Sequence, residues 1–546
     1  MPKAKSIMML SGPRFSPDAN AEFLMPKELF NQDNPVSVGK YVSKFIQRHY
    51  DEQVPRLTTL ERYYQGYNDI LYWNSKKAVN RADNKIPSGY PKSITNIRVG
   101  YAVGNPIQYK FNNRDGQNNT DGEKILQLIN DFNNDNDIEY HDKMMKKHLS
   151  VTGRAYEMLY SPSDETKLKV KNIDPTQAFV VYEADIEKKP LFAVYYYPIN
   201  FDDDTNWQVT VYTIDNIYTY PLVNSPLQDY STLVPEKETS VFIGVPILES
   251  KNNAERMGDW ETKLNEIDAV DKSLSEMANS QEDFNNAILC ISGKLDLSAN
   301  HEPILDENGD PIRDSDGNIL YKVRPGEEID PKARIMFLKA SVTDSGTGTP
   351  VVTQTTAEYL TKELNADGWK TYMDKLNADI HKDTNTPDVA DENFASNASG
   401  VAMSYKLWGQ DQERSIQESL YKRMLMNRYR LLAASWYMLG KDGGSPVQDL
   451  VNQIEPVFSP NLPKNDSEKM AVAKTLSETG AFSDQTIQEY AASVTGIQPS
   501  EEERRVDDET EKEPTFTLGT LAQNSIQAMQ GKVDKPDKNT DVGADM

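Results

Sequence analysis

The chain has one cysteine, Cys290, so it can form neither an intrachain disulfide nor a thiolate zinc cluster. No stretch approaches the roughly 18 apolar residues of a membrane span, and the apolar patch Ile7 to Leu10 is far shorter than the core of a secretory signal. Synthesis and assembly in a reducing cytosol are therefore expected. Positive charge is scarce: 59 Lys and Arg stand against 84 Asp and Glu, for a net charge of -25. Affinity for phosphate comes mainly from Lys and Arg that release counterions, so a protein that grips nucleic acid along its length is excluded. Any DNA would be handled loosely.

Chemistry-bearing motifs are missing too. A nucleotide-driven motor needs a glycine-rich loop followed by Lys and Ser or Thr to wrap phosphates and hold magnesium. The nearest stretch, Gly346-Thr347-Gly348-Thr349, has no Lys after it and runs into Pro350, so it reads as a connector. The five histidines are dispersed. His141 and His148 share a face of an expected helix, but Lys143, Lys146 and Lys147 between them would repel a cation, and the residues read as a solvated helix face. No Gly-x-Ser-x-Gly elbow is present, since Ser396 to Gly400 lacks the first glycine. No pair of carboxylates stands out. The chain is read as non-enzymatic, with no catalytic residue, metal or cofactor.

What the sequence does contain is length and pattern. At 546 residues it exceeds one ordinary core, and a mean hydropathy of -0.67 leaves much surface wet. Residues 1 to about 40 read as an arm. A helical pattern from Val42 breaks at Pro55, helices are expected over Glu123 to Phe132 and Tyr140 to Leu149, and strands over Arg154 to Tyr160, Leu168 to Ile173, Ala178 to Tyr182, Leu191 to Tyr197 and Trp207 to Tyr220. This is an α+β domain ending near Pro246.

The most regular segment follows. Met257, Trp260, Leu264, Ile267, Leu274 and Met277 fall mostly three or four residues apart, which predicts one helix from about Asn253 to Asn286, spanning roughly 50 Å. From Ala287 to about Ser345 the texture becomes a small β insertion, with turns at Asn308-Gly309 and Asp316-Gly317. Those aspartates lack the spacing of a calcium loop, because Gly317 as the loop glycine puts Ile312 and Val323 at ligand positions. No repeat of fixed period is evident.

A second helix is expected from Thr356 to Lys382, with Leu360, Leu364, Trp369, Met373, Leu376 and Ile380 on one side and Gly368 placed to bend it. A polar stretch, Asp383 to Gly400, separates it from a third helix, Val401 to Leu439, closed by Gly440. Polar loops of this length between long helices are more often functional than not. Two short helices, Ser467 to Leu476 and Asp484 to Val494, precede an acid-rich tail from Pro499 that is expected to be disordered.

Several segments, in order, resemble the portal proteins of tailed phages that infect Gram-positive bacteria: YYQGYNDILYW, NKIPSGYPKSITNIRVGYAVGNPIQYKF, GRAYEMLY, VYTIDNIYTY, GVPILESKNNAERMGDWETKLNEIDAVDKSLSEM and NFASNASGVAMSYKLWG. The resemblance covers about residues 55 to 500. It implies the portal fold, mainly helical, with wing, stem, clip and crown regions assembled as a ring of about twelve subunits at one capsid vertex. On that frame residues 1–40 are an arm, 41–252 and 401–460 wing, 253–286 and 356–382 the stem helices, 287–355 the clip, 383–400 the tunnel loop, 461–498 the crown and 499–546 the tail.

The resemblance further implies that Trp260, Leu264, Ile267, Leu274, Trp369, Met373 and Leu376 pack the stem. Lys382, Asp383, Asn385, Asp388, Asp391, Glu392 and Asn393 would face DNA from the tunnel loop, whose acids let duplex slide. Implied partners are further copies of the chain, the terminase large subunit, the head-tail adaptor, the major capsid and scaffolding proteins, and double-stranded DNA without sequence preference, with no membrane. The implied location is the virion vertex, after assembly in the host cytoplasm. The rival reading is another structural virion protein, such as a minor head or adaptor protein, which would not need two long helices flanking a β insertion.

Overall fold

The computed structural model describes residues 14–74, 82–112, 119–162, 167–201, 204–284, 288–292, 294–295, 302–322, 338–339, 341–344, 350–353, 356–360, 365–389, 405–441, 447–461, 466–480, 487 and 490. Two compact units divide the chain: 1–396 with 406–461, and 397–405 with 462–546.

In the first unit, strand β1 (Phe23–Met25) precedes helix α1 (Pro35–Arg48). Asn34 caps α1 by accepting the Val36 amide at 3.0 Å, and Pro35 takes the first position, where a missing N–H costs nothing. A π turn, His49–Gln53, takes up the break ahead of Pro55 before α2 (Val54–Tyr64). Next come α3 (Tyr90–Val103), β2 (Gln108–Phe111), α4 (Asn119–Asp135) and α5 (Ile138–Thr152).

The strands β3 (Arg154–Tyr160), β4 (Lys169–Ile173), β5 (Ala178–Glu183), β6 (Pro190–Phe201), β7 (Asp204–Thr213), β8 (Asn216–Thr219), β9 (Glu236–Thr239) and β10 (Ile247–Lys251) then build two sheets. One has the order β1-β5-β6-β7-β8-β9, with β1 parallel to β5 and the other pairs antiparallel; the other has the order β10-β3-β4. Strand β5 is buried on both faces. Phe179 and Val181 join the core that holds Val42, Phe45 and Ile46 of α1, while Ala178 and Val180 meet Tyr156 and Ile247 of the smaller sheet. Residues 207–220, expected as one strand, form two. Thr213 Oγ1 donates to the Asn216 carbonyl at 2.9 Å and accepts its amide at 3.0 Å, closing a turn between β7 and β8.

Helix α5 overturns the solvated reading of its histidine face. His141 is buried, with Nε2 2.9 Å from Glu157 Oε2, and Arg428 binds the same carboxylate through Nε at 2.9 Å and Nη2 at 2.5 Å. Burial alone would raise the Glu157 carboxyl, but Arg428 and His141 outweigh it and hold it down at about 2. Lys146 is buried as well, and His148 lies 3.4 Å from Glu61. Solvent-type residues are inside here because each finds a polar partner on another element: carboxylates for His148 and Arg428, and the amides of Asn252 and Gln417 for Lys146.

Helix α6 (Leu264–Phe284) starts eleven residues later than the apolar spacing predicts. Asn253 Oδ1 accepts the Met257 amide at 2.8 Å, Arg256 adopts φ 57°, and Gly258 packs on the Val151 carbonyl, so 253–260 is a tight turn rather than helix. Met257 and Trp260 continue the helical spacing only by coincidence of the turn. At 21 residues, α6 spans about 32 Å.

The β insertion is made of β11 (Ile288–Ser292), β12 (Lys294–Leu295), β13 (Leu338–Lys339), β14 (Ser341–Asp344), β15 (Pro350–Thr353) and β16 (Thr356–Leu360), in antiparallel pairs β11 with β16, β12 with β13 and β14 with β15. Residues 356–360, expected as helix, are therefore strand. β-branched and aromatic residues here find a ready partner in Ile288 to Ser292.

Between β12 and β13 lies an eight-residue repeat that the sequence reading did not detect. Ile304, Ile312 and Leu320 hydrogen-bond in a cycle, each amide within 2.8 Å of the next carbonyl: Ile304 to Leu320, Leu320 to Ile312, Ile312 to Ile304. Asp306 Oδ1 accepts the Asn308 and Asp310 amides, and Asp314 Oδ1 those of Asp316 and Asn318, so these carboxylates cap their own glycine turns. Two copies of one turn are too short a run to show as a composition bias.

Helix α7 (Ala366–Asp383) is capped by Asn365, whose Oδ1 accepts the Gly368 amide at 2.9 Å; that glycine sits in the first turn and does not bend the helix. Helix α8 (Trp408–Met438) ends at Gly440 in the left-handed region, φ 63°. Strand β17 (Ile454–Val457) then pairs with β2. The second unit contributes α9 (Asp466–Thr479), closed by Gly480 at φ 59°. The expected connector Gly346 to Thr349, most of the second short helix and the acidic tail lie outside the described residues. No described helix is long and apolar enough to cross a membrane.

Candidate functional site

Helices α6 and α7 run antiparallel, since Trp369 Nε1 donates to Ser273 Oγ at 2.9 Å near one end and Lys263 Nζ meets Asp383 Oδ2 at 2.5 Å at the other. Their shared core contains Trp260, Leu264, Ile267, Val270 and Ile380 fully buried, with Leu274, Met373 and Leu376 packed against it, and it extends to Leu60, Tyr63, Ile94 and Val151. Trp260 Nε1 donates to Thr95 Oγ1 at 3.0 Å, which ties α3 to the turn before α6. All seven residues singled out for helix packing thus lie on this pair or at its base, and Val270 and Ile380 join them.

The polar side of α6 has its own partner. The extended segment 82–89 runs antiparallel to it: the Ser88 amide donates to Asp271 Oδ1 at 2.6 Å, Ile86 to Ser275 Oγ at 2.9 Å and Asn84 to Asn279 Oδ1 at 2.6 Å. Asn68 Nδ2 adds a second donor to Asp271 at 2.6 Å. Burial outweighs these bonds and raises the Asp271 carboxyl to about 6. A strap of backbone is therefore fastened to the helix by side chains four residues apart.

Where the chain leaves α7, it is held from three directions. Arg98 of α3, fully buried, donates from Nη2 to the Thr384 carbonyl and to Glu413 Oε2 of α8 at 2.7 Å, and from Nε to Thr386 Oγ1 at 3.2 Å. Asn385, between those threonines, adopts φ 48° and donates to the same Glu413 oxygen at 3.2 Å. Gly409 leaves room for the Asn385 amide, as a Cβ there would stand 2.9 Å from Asn385 Oδ1. On the other side of Arg98, Asp259 Oδ2 is 4.0 Å away, and Asp259 Oδ1 accepts from Asn252 at 2.7 Å and Gln417 at 2.9 Å. Lys146, its ammonium destabilised by burial, donates to Gln417.

Of the residues expected in the polar loop, Lys382, Asp383, Asn385 and Asp388 are described, and Asp391, Glu392 and Asn393 fall outside the described residues. They do not form one surface. Lys382, Asp383 and Asn385 are exposed, with Asp383 paired to Lys263 and Asn385 donating to Glu413, and Asp388 accepts from Asn377 at 3.1 Å with His381 4.0 Å away. Sequence reasoning missed Arg98, Glu413, Asp259, Thr384 and Thr386, which lie far apart in the chain and carry no spacing signal. It also missed Asp271, Ser275 and Asn279, which repeat every four residues along α6 but are hidden among the many other polar residues of that helix.

Two antiparallel helices joined through a β insertion, followed by a bolted chain exit and a long helix, define a structural subunit built around a helix pair. The chain matches the family described as phage portal protein, SPP1 Gp6-like, over residues 43–514, and it belongs to that family. It is also similar to the portal protein of Bacillus phage SPP1, with 24% identity over 268 residues, 45% of this chain and 51% of that protein. The aligned part thus spans about half the length of that relative.

Proposed function

We propose that the chain is the subunit of a ring of about twelve copies at one capsid vertex, through which double-stranded DNA enters and leaves the virion. In this reading the stem expected over 253–286 and 356–382 is reduced to α6 and α7, which line the channel, the β insertion is the clip that docks the terminase large subunit and later the head-tail adaptor, and 41–252 with 401–460 form the wing among capsid and scaffolding proteins. Residues 461–498 form the crown. Residues 383–400 form the tunnel loop, with Lys382, Asp383, Asn385, Asp388, Asp391, Glu392 and Asn393 toward DNA, although Asp383 and Asn385 are engaged within the subunit in the isolated chain. The part is passive and structural, assembled in the host cytoplasm and carried in the virion.

The observation that carries the reading is the order along a chain of this family: α6, β insertion, α7, polar loop, α8. Helix α7 buries only one side against α6 and leaves most of its circumference exposed, which a neighbouring subunit in a ring would cover. Negative-stain images of the purified chain should show closed rings with a central hole, with a mass of about twelve or thirteen subunits. A monomer at every concentration would sink the proposal.

A further inference from the structure

The geometry points to Arg98 as the positioning residue that sets where, and in which direction, the chain leaves α7 to enter the polar loop. The inference rests on the channel reading above. Three observations carry it. First, the exit is a sharp reversal: Asn385 takes the left-handed backbone of a helix C-terminal cap, with the Asn385 amide bonded to the Lys382 carbonyl at 3.2 Å and the Thr386 amide to the His381 carbonyl at 3.0 Å.

Second, the groups that tie this reversal to the rest of the subunit converge on one side chain. Arg98 bonds the residue before Asn385 through its carbonyl and the residue after it through its hydroxyl, and shares Glu413 with Asn385 itself. A planar guanidinium can reach in these separate directions at once; an ammonium, a point charge on a flexible stem, cannot. Third, Arg98 is itself immobilised. Glu413 on α8 and Asp259 in the turn before α6 flank its guanidinium, so the exit is referenced to three elements of the first unit at once. Its remaining buried nitrogen, Nη1, has no hydrogen-bond partner among the described residues. A side chain placed only for packing would not aim two nitrogens at the residues that flank a reversal.

The test compares Arg98→Lys with Val211→Ala, which cuts a buried side chain from the core of the six-stranded sheet and so lowers stability away from the exit. In assembled rings, hydrogen exchange at the Asn385 and Thr386 amides should rise at least tenfold in R98K and stay unchanged in V211A. In a packaging assay with procapsids carrying each variant, the DNA-filled fraction should fall about tenfold for R98K while V211A packages normally. Thr386→Val, which removes one of the bonds, should fall between.

Unchanged exchange at both amides in R98K would overturn the assignment, as would an equal rise in V211A. The triple exchange of Asp388, Asp391 and Glu392 for Lys separates the two ideas. If that variant packages normally, the loop's role in the channel fails while the exchange result still stands for the exit. If it packages poorly and R98K does not, the channel reading survives and Arg98 loses its role.

Discussion

Among single residues, Asp271 shows how burial can override hydrogen bonds that favour a charge. Its folded carboxyl is raised to about 6 from an ordinary 3.8, so its contribution to stability is fully present below pH 3.8 and is lost as pH rises through 6. Between pH 7.5 and pH 5 the protein should gain about 1 kcal/mol from this group, and Asp271→Asn should lose that gain. Thermal melts of both forms across this range check it: parallel curves would contradict the assignment. Glu157 has the opposite sign. Its contribution is present above pH 4.5 and disappears as pH falls through about 2, so the Arg428 network stabilises the packing of α5, β3 and α8 until conditions are strongly acid. Neither group was recognisable beforehand, because burial and partners set both, and both come from distant parts of the chain.

Among elements, what was legible depended on whether local pattern and tertiary packing agreed. Strand β3 matches its expected bounds, and β5 extends one residue further, because Val, Tyr and Phe alternate there and both faces find cores. The segment 253–263 misled because Met257 and Trp260 keep a helical spacing while Asn252, Asn253 and Gly258 build a turn. Residues 356–360 misled because Leu360 fits the helical stripe of α7, yet the strand partner at 288–292 is invisible to any local window. The apolar spacing showed that two helices exist but placed their starts at 253 and 356, where the structure has Leu264 and Ala366; the Arg98 anchor could not be read, since one arginine inside a helix has no periodicity. Gly153 tests the α5 to β3 junction that supports the turn. It sits at φ 78°, and a Cβ there would lie 2.1 Å from the Arg256 carbonyl oxygen. Gly153→Ala should cost about 3 kcal/mol or more in urea unfolding, whereas Gly309→Ala, at φ 87° in open space, should cost about 1 kcal/mol.

For the whole molecule, charge is the governing quantity. A net charge of -25 is a poor match for a polyanion, and a channel wall made by such chains should pass duplex without holding it. The purified chain should therefore leave duplex DNA unshifted in gels at about 0.15 M salt, at any length of duplex. Salt-sensitive retardation would mean that assembly or folding gathers the lysines onto one face. The α+β class and the absence of a phosphate loop were both readable from composition and motif, because they depend on totals and on contiguous residues. The pairing of β2 with β17, across more than 340 residues of chain, was not.

The strap along α6 also works as a vernier between two kinds of secondary structure. Four helical residues advance about 6.0 Å and two extended residues about 6.6 Å, so the two rulers slip by roughly 0.6 Å per rung. Three rungs tolerate that drift; a much longer ladder would not. The mismatch itself therefore limits how far a strap of this kind can run. Register is also all or none, because an inserted residue between 84 and 88 would turn every second amide away from its helix acceptor. Helix α6 in effect offers Asp271, Ser275 and Asn279 as the edge of a sheet, and the strap seats on it as a strand would.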